Sequence, residues 1–203
     1  MIDKPGDHPF PFAELPAKSP LLYILTAGTV ILRMHSGAHD ALYFGKTGDY
    51  RFDAPNGAFG VMYTGEDPES CFIESFGQTT GTPAVSGTYI EQRHLSELTL
   101  EKELRFVDLV ETAGLARLGA DGRLFTGSYA VSQAWSAALK THPTKPDGIR
   151  YRSRRDPARV AYAIYECPPS TFSVNDQGSL MDRKNRSLLD TLLDLYQVEL
   201  IDP

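Results

Sequence analysis

Apolar residues in this chain fall in short runs, alternating or continuous, separated by stretches rich in Gly, Pro, Asp and Asn. Residues 23–26 and 29–35 are β-branched and apolar and predict two strands. Residues 36–60 hold Gly, Asp, Asn and Pro with only short apolar breaks, which is loop chemistry. Residues 59–64 predict a buried strand. Asp67-Pro68-Glu69 is a helix start: Asp67 can cap free amides, proline suits the first helical position, and Glu69 favours the positive end of the dipole. Cys71, Phe72, Ser75 and Phe76 then form an inward face, and Gly77 ends the helix. Further strands are expected over 87–93, 104–109, 149–153, 160–165 and 198–201. Helices are expected over 128–140, with Ala130, Ala134, Trp135 and Ala138 at helical spacing, and over 185–196, which is rich in leucine. Strands and short helices mix without strict alternation, so the expected class is α+β with a mixed sheet.

With 203 residues the chain is long enough to bury a core without staples, and its length favours one domain. The expected division is an extended, proline-rich segment over residues 1–20, then a single domain over 21–203. Acidic residues outnumber basic ones for a net charge of −6. That balance argues against a protein that coats nucleic acid or anionic membrane. No stretch approaches the roughly 20 apolar residues that span a bilayer, and the start lacks an apolar signal core, so a cytoplasmic protein is expected. Cys71 and Cys167 cannot build a disulfide framework or a four-cysteine zinc site, and read as small buried residues.

Most motif readings fail on spacing. No Gly-x-Gly-x-x-Gly follows a strand, and no Gly-x-Ser-x-Gly elbow exists. Gly45-Lys46-Thr47 matches the end of a phosphate-binding loop, but the preceding glycine, Gly37, is too far upstream. His35 and His39, with Asp40, have metal-ligand spacing without a helix to present them, so ordinary loop histidines are expected and no metal. The distinctive feature is Arg150-Tyr-Arg-Ser-Arg-Arg-Asp-Pro-Ala-Arg159. Its five arginines and one aspartate give +4 locally, leaving −10 on the remainder. It reads either as an anion site, since guanidinium groups grip phosphate in a bidentate way, or as a strand whose Arg150, Arg152 and Arg154 face water. Arg33 ends an apolar run and Arg51 sits in a loop; an arginine ending a buried strand needs an anionic partner, most often an internal one. Glu74, at the seam of the first helix's apolar face, is either the partner of such an arginine or a working carboxylate aimed into a cleft.

Taken together, these segments resemble the RES-domain family, named for an Arg–Glu–Ser signature. The matching pieces are Leu32-Arg33, Tyr50-Arg51-Phe52, Gly60-Val-Met-Tyr63, Cys71-Phe-Ile-Glu74 and Asp147-Gly-Ile-Arg-Tyr-Arg-Ser153-Arg-Arg, in order over roughly residues 21–201. The resemblance implies a split mixed α+β sheet with short helices around an NAD cleft, like the fold of ADP-ribosylating toxins. It implies an enzyme that destroys NAD by cleaving the nicotinamide–ribose bond. Inorganic phosphate is then the co-substrate in phosphorolysis and water the acceptor in hydrolysis; NAD is substrate, and no cofactor is needed. It implies the toxin of a toxin–antitoxin pair, blocked by a helix-turn-helix antitoxin, alone as a homo-oligomer or in a hetero-oligomer with that partner. No direct contact with nucleic acid or membrane follows. By position, Arg33, Glu74 and Ser153 are the catalytic candidates, and Arg51, Tyr63 and Arg152 the substrate-binding ones. The chain departs from the family in Phe52-Asp53, where an aromatic-Asn pair is common, and in its proline-rich start. The rival readings are an ADP-ribosyltransferase using the same cleft and a non-enzymatic arginine-rich binding module.

Overall fold

The structure, a computed structural model, describes residues 8–77 and 83–201. Its strands are β1 (Leu22–Leu25), β2 (Val30–Ser36), β3 (Val61–Gly65), β4 (Ala84–Ser86), β5 (Arg93–Leu100), β6 (Leu104–Asp108), β7 (Gly148–Arg152), β8 (Val160–Tyr165), β9 (Phe172–Ser179) and β10 (Glu199–Ile201). Its helices are α1 (Pro68–Phe76), α2 (Gly87–Glu91), α3 (Gly114–Leu118), α4 (Arg123–Thr126), α5 (Tyr129–Lys140) and α6 (Arg186–Tyr196). Eight strands form one sheet in the order β1-β6-β7-β8-β3-β2-β5-β9, and β10 pairs with β4 in a second, two-stranded sheet. In the large sheet β6 and β7 run parallel and the other neighbours antiparallel. The architecture is α+β with a mixed sheet and short helices, as the pattern of elements predicts.

The apolar run of β8 is buried along its whole length, as a strand covered on both faces must be. Its side chains alternate between two cores. Ala161, Ala163 and Tyr165 join Trp135, Phe52 and Leu139, whereas Tyr162 and Ile164 join Met62, Phe106 and Leu98. A third core gathers α1, α2 and α6 around Phe72, Ile90 and Leu189, with Leu32 and Met34 of β2 packed against it. The first and third cores therefore lie over different halves of the sheet. Between those halves the sheet is split: β2 and β3 pair only at Leu32–Gly65. Past that point β3 bridges instead to Gly45, whose N–H and carbonyl bond Val61 at 3.0 and 2.9 Å.

Helix α1 starts as its sequence dictates. Asp67 accepts from the Ser70 amide at 2.6 Å, and the Ser70 hydroxyl accepts from the Asp67 amide at 3.3 Å, closing a reciprocal cap. The helix lies close against β3 because position 65 is glycine; a Cβ there would sit 2.0 Å from Ser70 Oγ.

Several local expectations change. Residues 87–93 were expected as a strand, but 87–91 form α2, because the Ser86 hydroxyl accepts from the Tyr89 amide and starts a helical turn. On α5 the buried stripe is Val131, Ser132, Trp135, Ser136 and Leu139 instead of an alanine stripe, and Ala130 is exposed. Cys71 is buried as expected, but Cys167 is half-exposed. His35 is a buried strand residue with both ring nitrogens engaged, by Ser36 O and Ser96 Oγ, and not a loop histidine. His39 stacks on Tyr43. Among the described residues no group of three or more metal-binding side chains comes together. No helix among them is long and apolar enough to cross a membrane.

Of residues 1–20, the first seven lie outside the described set. Residues 8–12 pack on α5: His8 and Phe12 meet the Trp135 ring edge-on, and the Trp135 indole donates to Pro9 O at 2.9 Å.

Candidate active site

A cleft of about 590 Å³ opens at the split between β2 and β3, walled by the first core on one side and by α1 on the other. Arg33, Arg51, Tyr63, Glu74 and Arg152 all line it. Ser153, 1% exposed, does not line it but bonds Glu74, which does. Residues separated by up to 120 positions in sequence are thus brought to one place by β2, the 50–53 loop, β3, α1 and the end of β7.

Glu74 projects from α1, and the Ser153 hydroxyl donates to its Oε1 at 2.5 Å. Ser153 Oγ in turn accepts from the amides of Arg155 and Asp156 at 3.1 and 3.3 Å. A turn therefore fixes the serine, and the serine fixes the carboxylate. No arginine or lysine among the described residues forms an ion pair with Glu74. It is thus a fixed carboxylate facing a cavity, and not the neutralised partner of an arginine.

Arg33, 9% exposed, was expected to find an internal carboxylate more often than not. It donates instead to two backbone carbonyls, Ala41 O and Tyr43 O, the latter at 2.8 Å. Burial lowers its pKa to about 10, which leaves it charged at neutral pH. Among the described residues no carboxylate bonds it, though the Asp40 charge favours its protonated form, and it also holds the 41–43 segment beside β3.

Arg51 is equally buried. Its Nη1 donates to Gly127 O at 3.1 Å and Ser132 Oγ at 3.2 Å, its guanidinium stacks on Tyr129 at 4.7 Å, and its Nη2 has no acceptor among the described residues. Burial, first, lowers its pKa. An unsatisfied buried donor is costly, and one that lines a cleft invites an anion.

Tyr63 has its hydroxyl fully used: it donates to Asp53 Oδ1 and accepts from the Phe52 amide, both at 2.9 Å. Its ring is left to wall the cleft beside Tyr50. Burial raises the Asp53 carboxyl above its ordinary value and pushes the Tyr63 phenol well up. Burial likewise pushes the Cys71 thiol up to about 12, so this cleft residue stays protonated and is no nucleophile at neutral pH.

The arginine-rich decapeptide divides by role. Arg150 does not face water: it pairs with Asp108 and Glu66 and stacks on Tyr23 at 4.0 Å. Arg159 bonds Asp67 at 2.9 Å, tying the turn after β7 to the start of α1. Arg152 donates to Pro157 O and Arg155 to Gly77 O. Arg152, Arg154 and Arg155 line the cleft with Arg33, Arg51 and Arg93, against only two carboxylates, Asp49 and Glu74. Of the six, only Arg93 lies outside the residues and the segment that the sequence singles out. The positioning residues Ser132, Gln133 and Ser136 were missed because α5 reads as a core helix. Yet Gln133 donates to Gly48 O and Tyr50 O, and Ser136 to Phe52 O, so this helix holds the loop that carries Arg51.

A family model described as RES domain matches residues 26–186. In fold, the structure is similar to a chain of the crystal structure of the M. tuberculosis MbcT–MbcA toxin–antitoxin complex. The TM-score is 0.55 and the identity 14%, over 81% of this chain and 92% of that one. No curated protein sequence matches this one.

Proposed function

Because the chain belongs to the RES-domain family, we propose that it is an NAD-degrading enzyme that cleaves the nicotinamide–ribose bond and acts as the toxin of a toxin–antitoxin pair. The observation that carries this reading is a carboxylate, Glu74, fixed by Ser153 and without an ion pair among the described residues, in a cleft that holds six arginines and six tyrosines.

Glycosidic cleavage passes through an oxocarbenium-like state with positive charge on the sugar. The carbon–nitrogen bond breaks with its electron pair passing to the ring nitrogen, so the pyridinium loses its charge and no general acid is needed. An acceptor oxygen then bonds the sugar carbon: from phosphate it yields ADP-ribose 1-phosphate, and from water ADP-ribose and a proton. Glu74 stabilises the developing positive charge. Ser153 holds Glu74 in place and is not a nucleophile, since all its lone pairs and its proton are engaged and no histidine base is bonded to it. Arg51 offers its free nitrogen to the anionic part of the substrate, Arg33 adds positive charge, Tyr63 walls the ring site, and Arg152 stands at the rim. Membership in the family and the fold shared with the MbcT–MbcA chain support an antitoxin partner, which we take to be a helix-turn-helix protein in the cytoplasm.

The test is incubation of the purified chain with NAD, with and without inorganic phosphate, and chromatography of the products. Free nicotinamide with ADP-ribose 1-phosphate identifies a phosphorylase, and with ADP-ribose a hydrolase. Transfer of label from NAD to a macromolecule would replace this reading with ADP-ribosyl transfer. No turnover, with salt-sensitive binding to an acidic partner, would replace it with a binding module.

A further inference from the structure

Arg154 differs from its neighbours. The other four arginines of the decapeptide each bond a carboxylate or a backbone carbonyl. Arg154 is exposed, lines the cleft, and makes no hydrogen bond or ion pair among the described residues. In the same cleft, Arg51 holds a buried nitrogen with no acceptor among the described residues. Both line the one cleft, and the Arg154 charge adds to burial, the larger cause, in disfavouring the protonated form of Arg51. Among the described residues neither forms an ion pair, and like charges facing one cavity repel until an anion lies between them. Arg154 also follows directly on Ser153, the residue that holds Glu74, and both Arg154 and Glu74 line the cleft.

We propose that Arg51 and Arg154 form a two-guanidinium clamp for a phosphate group, with Arg154 a substrate-binding residue. This rests on the reading above for the reaction it serves, though not for the binding itself. The phosphate group has two sources, inorganic phosphate as the acceptor or the pyrophosphate of the dinucleotide, and kinetics separate them.

The experiment compares the full chain with Arg154→Ala and Arg154→Lys. Steady-state rates are taken against NAD and against phosphate, and calorimetric titrations are run with inorganic phosphate and with ADP-ribose. Because Arg154 makes no hydrogen bond or ion pair among the described residues, both variants should melt as the wild type does. If the clamp holds the acceptor, the KM for phosphate rises roughly tenfold in Arg154→Ala, with the KM for NAD nearly unchanged. If it holds the pyrophosphate, the KM for NAD and the Kd for ADP-ribose rise instead. In either case lysine restores part of the loss, as a point charge without the bidentate fork. Unchanged affinity for both probes in Arg154→Ala overturns the clamp, as does a wild-type chain that binds neither. A chain that fails to cleave NAD but binds phosphate or ADP-ribose through Arg154 keeps the clamp and loses the proposed reaction.

Discussion

Ser153→Ala separates a positioning serine from a nucleophilic one. Its hydroxyl is 1% exposed and makes three bonds: it donates to Glu74 and accepts from the Arg155 and Asp156 amides. A hydrogen bond to a charged group contributes about 1.5–3 kcal/mol, and each 1.4 kcal/mol is a factor of ten. If the Glu74 contact serves only to aim the carboxylate, losing it should lower kcat by roughly 10- to 100-fold and leave measurable turnover. The two amides, in a half-buried turn, lose their acceptor; a cost of about 1–3 kcal/mol is expected, which for a chain of this size lowers Tm by roughly 2–10 °C. The assay is nicotinamide release at saturating NAD, with a thermal melt of the same sample. A positioning role predicts both effects together, a reduced kcat with a little-changed KM and a lowered Tm. Complete loss of turnover in a folded variant would point to covalent chemistry at Ser153, and an unchanged kcat would remove Ser153 from the site.

Three further outcomes are expected. Glu74→Gln keeps an oxygen for Ser153 to bond but removes the charge, so kcat should fall by at least about 100-fold with little change in Tm; full turnover would end the assignment of Glu74. Burial lowers the pKa of His35, so the folded chain resists its protonation while the unfolded chain accepts it near pH 6.5. Its contribution is complete above that pH and is lost progressively below it, so denaturant midpoints should fall from pH 7.5 to 5.5 and fall less in His35→Asn. Deleting residues 1–12 removes the Pro9 acceptor and the His8 and Phe12 contacts from Trp135, the single tryptophan. Its emission should shift to the red and stability drop by about 1–3 kcal/mol, whereas an unshifted spectrum would mean that this segment does not cover the indole.

Elements whose local chemistry decided their structure were legible in the sequence. Asp67-Pro68 starts α1 where its capping groups require, and the buried run of β8 forms a central strand. The 87–93 stretch misled because Thr88, Tyr89 and Ile90 have strand propensity, yet the Ser86 cap and the burial of Ile90 in the third core make it helical. Strand β9 was not foreseen: its middle, Asn175-Asp-Gln177, is polar because it lies at the sheet's edge, where one side needs no apolar partner. The signature residues could be found by their order along the chain, but not the partners that give them their work. That Ser153 aims Glu74, or that Arg33 bonds carbonyls instead of a carboxylate, depends on contacts between segments distant in sequence.

Charge shows why such contacts decide the chemistry. Summed over the sequence the chain is acidic, and its one cationic segment could equally have been neutralised or solvated. In the fold, Asp108, Glu66 and Asp67 neutralise Arg150 and Arg159 away from the cavity. The arginines of that segment left without a carboxylate turn toward the cleft, where Arg33, Arg51 and Arg93 already lie. Six guanidinium groups then share a cavity with two carboxylates, one of them fixed by a serine. A long polyanion meets the acidic whole and is repelled; a small phosphorylated ligand that enters the cleft meets the local excess, little screened over its few ångströms. It is the pairing of three carboxylates with Arg150 and Arg159 outside the cleft, more than the number of arginines, that leaves a cationic cleft in an acidic protein.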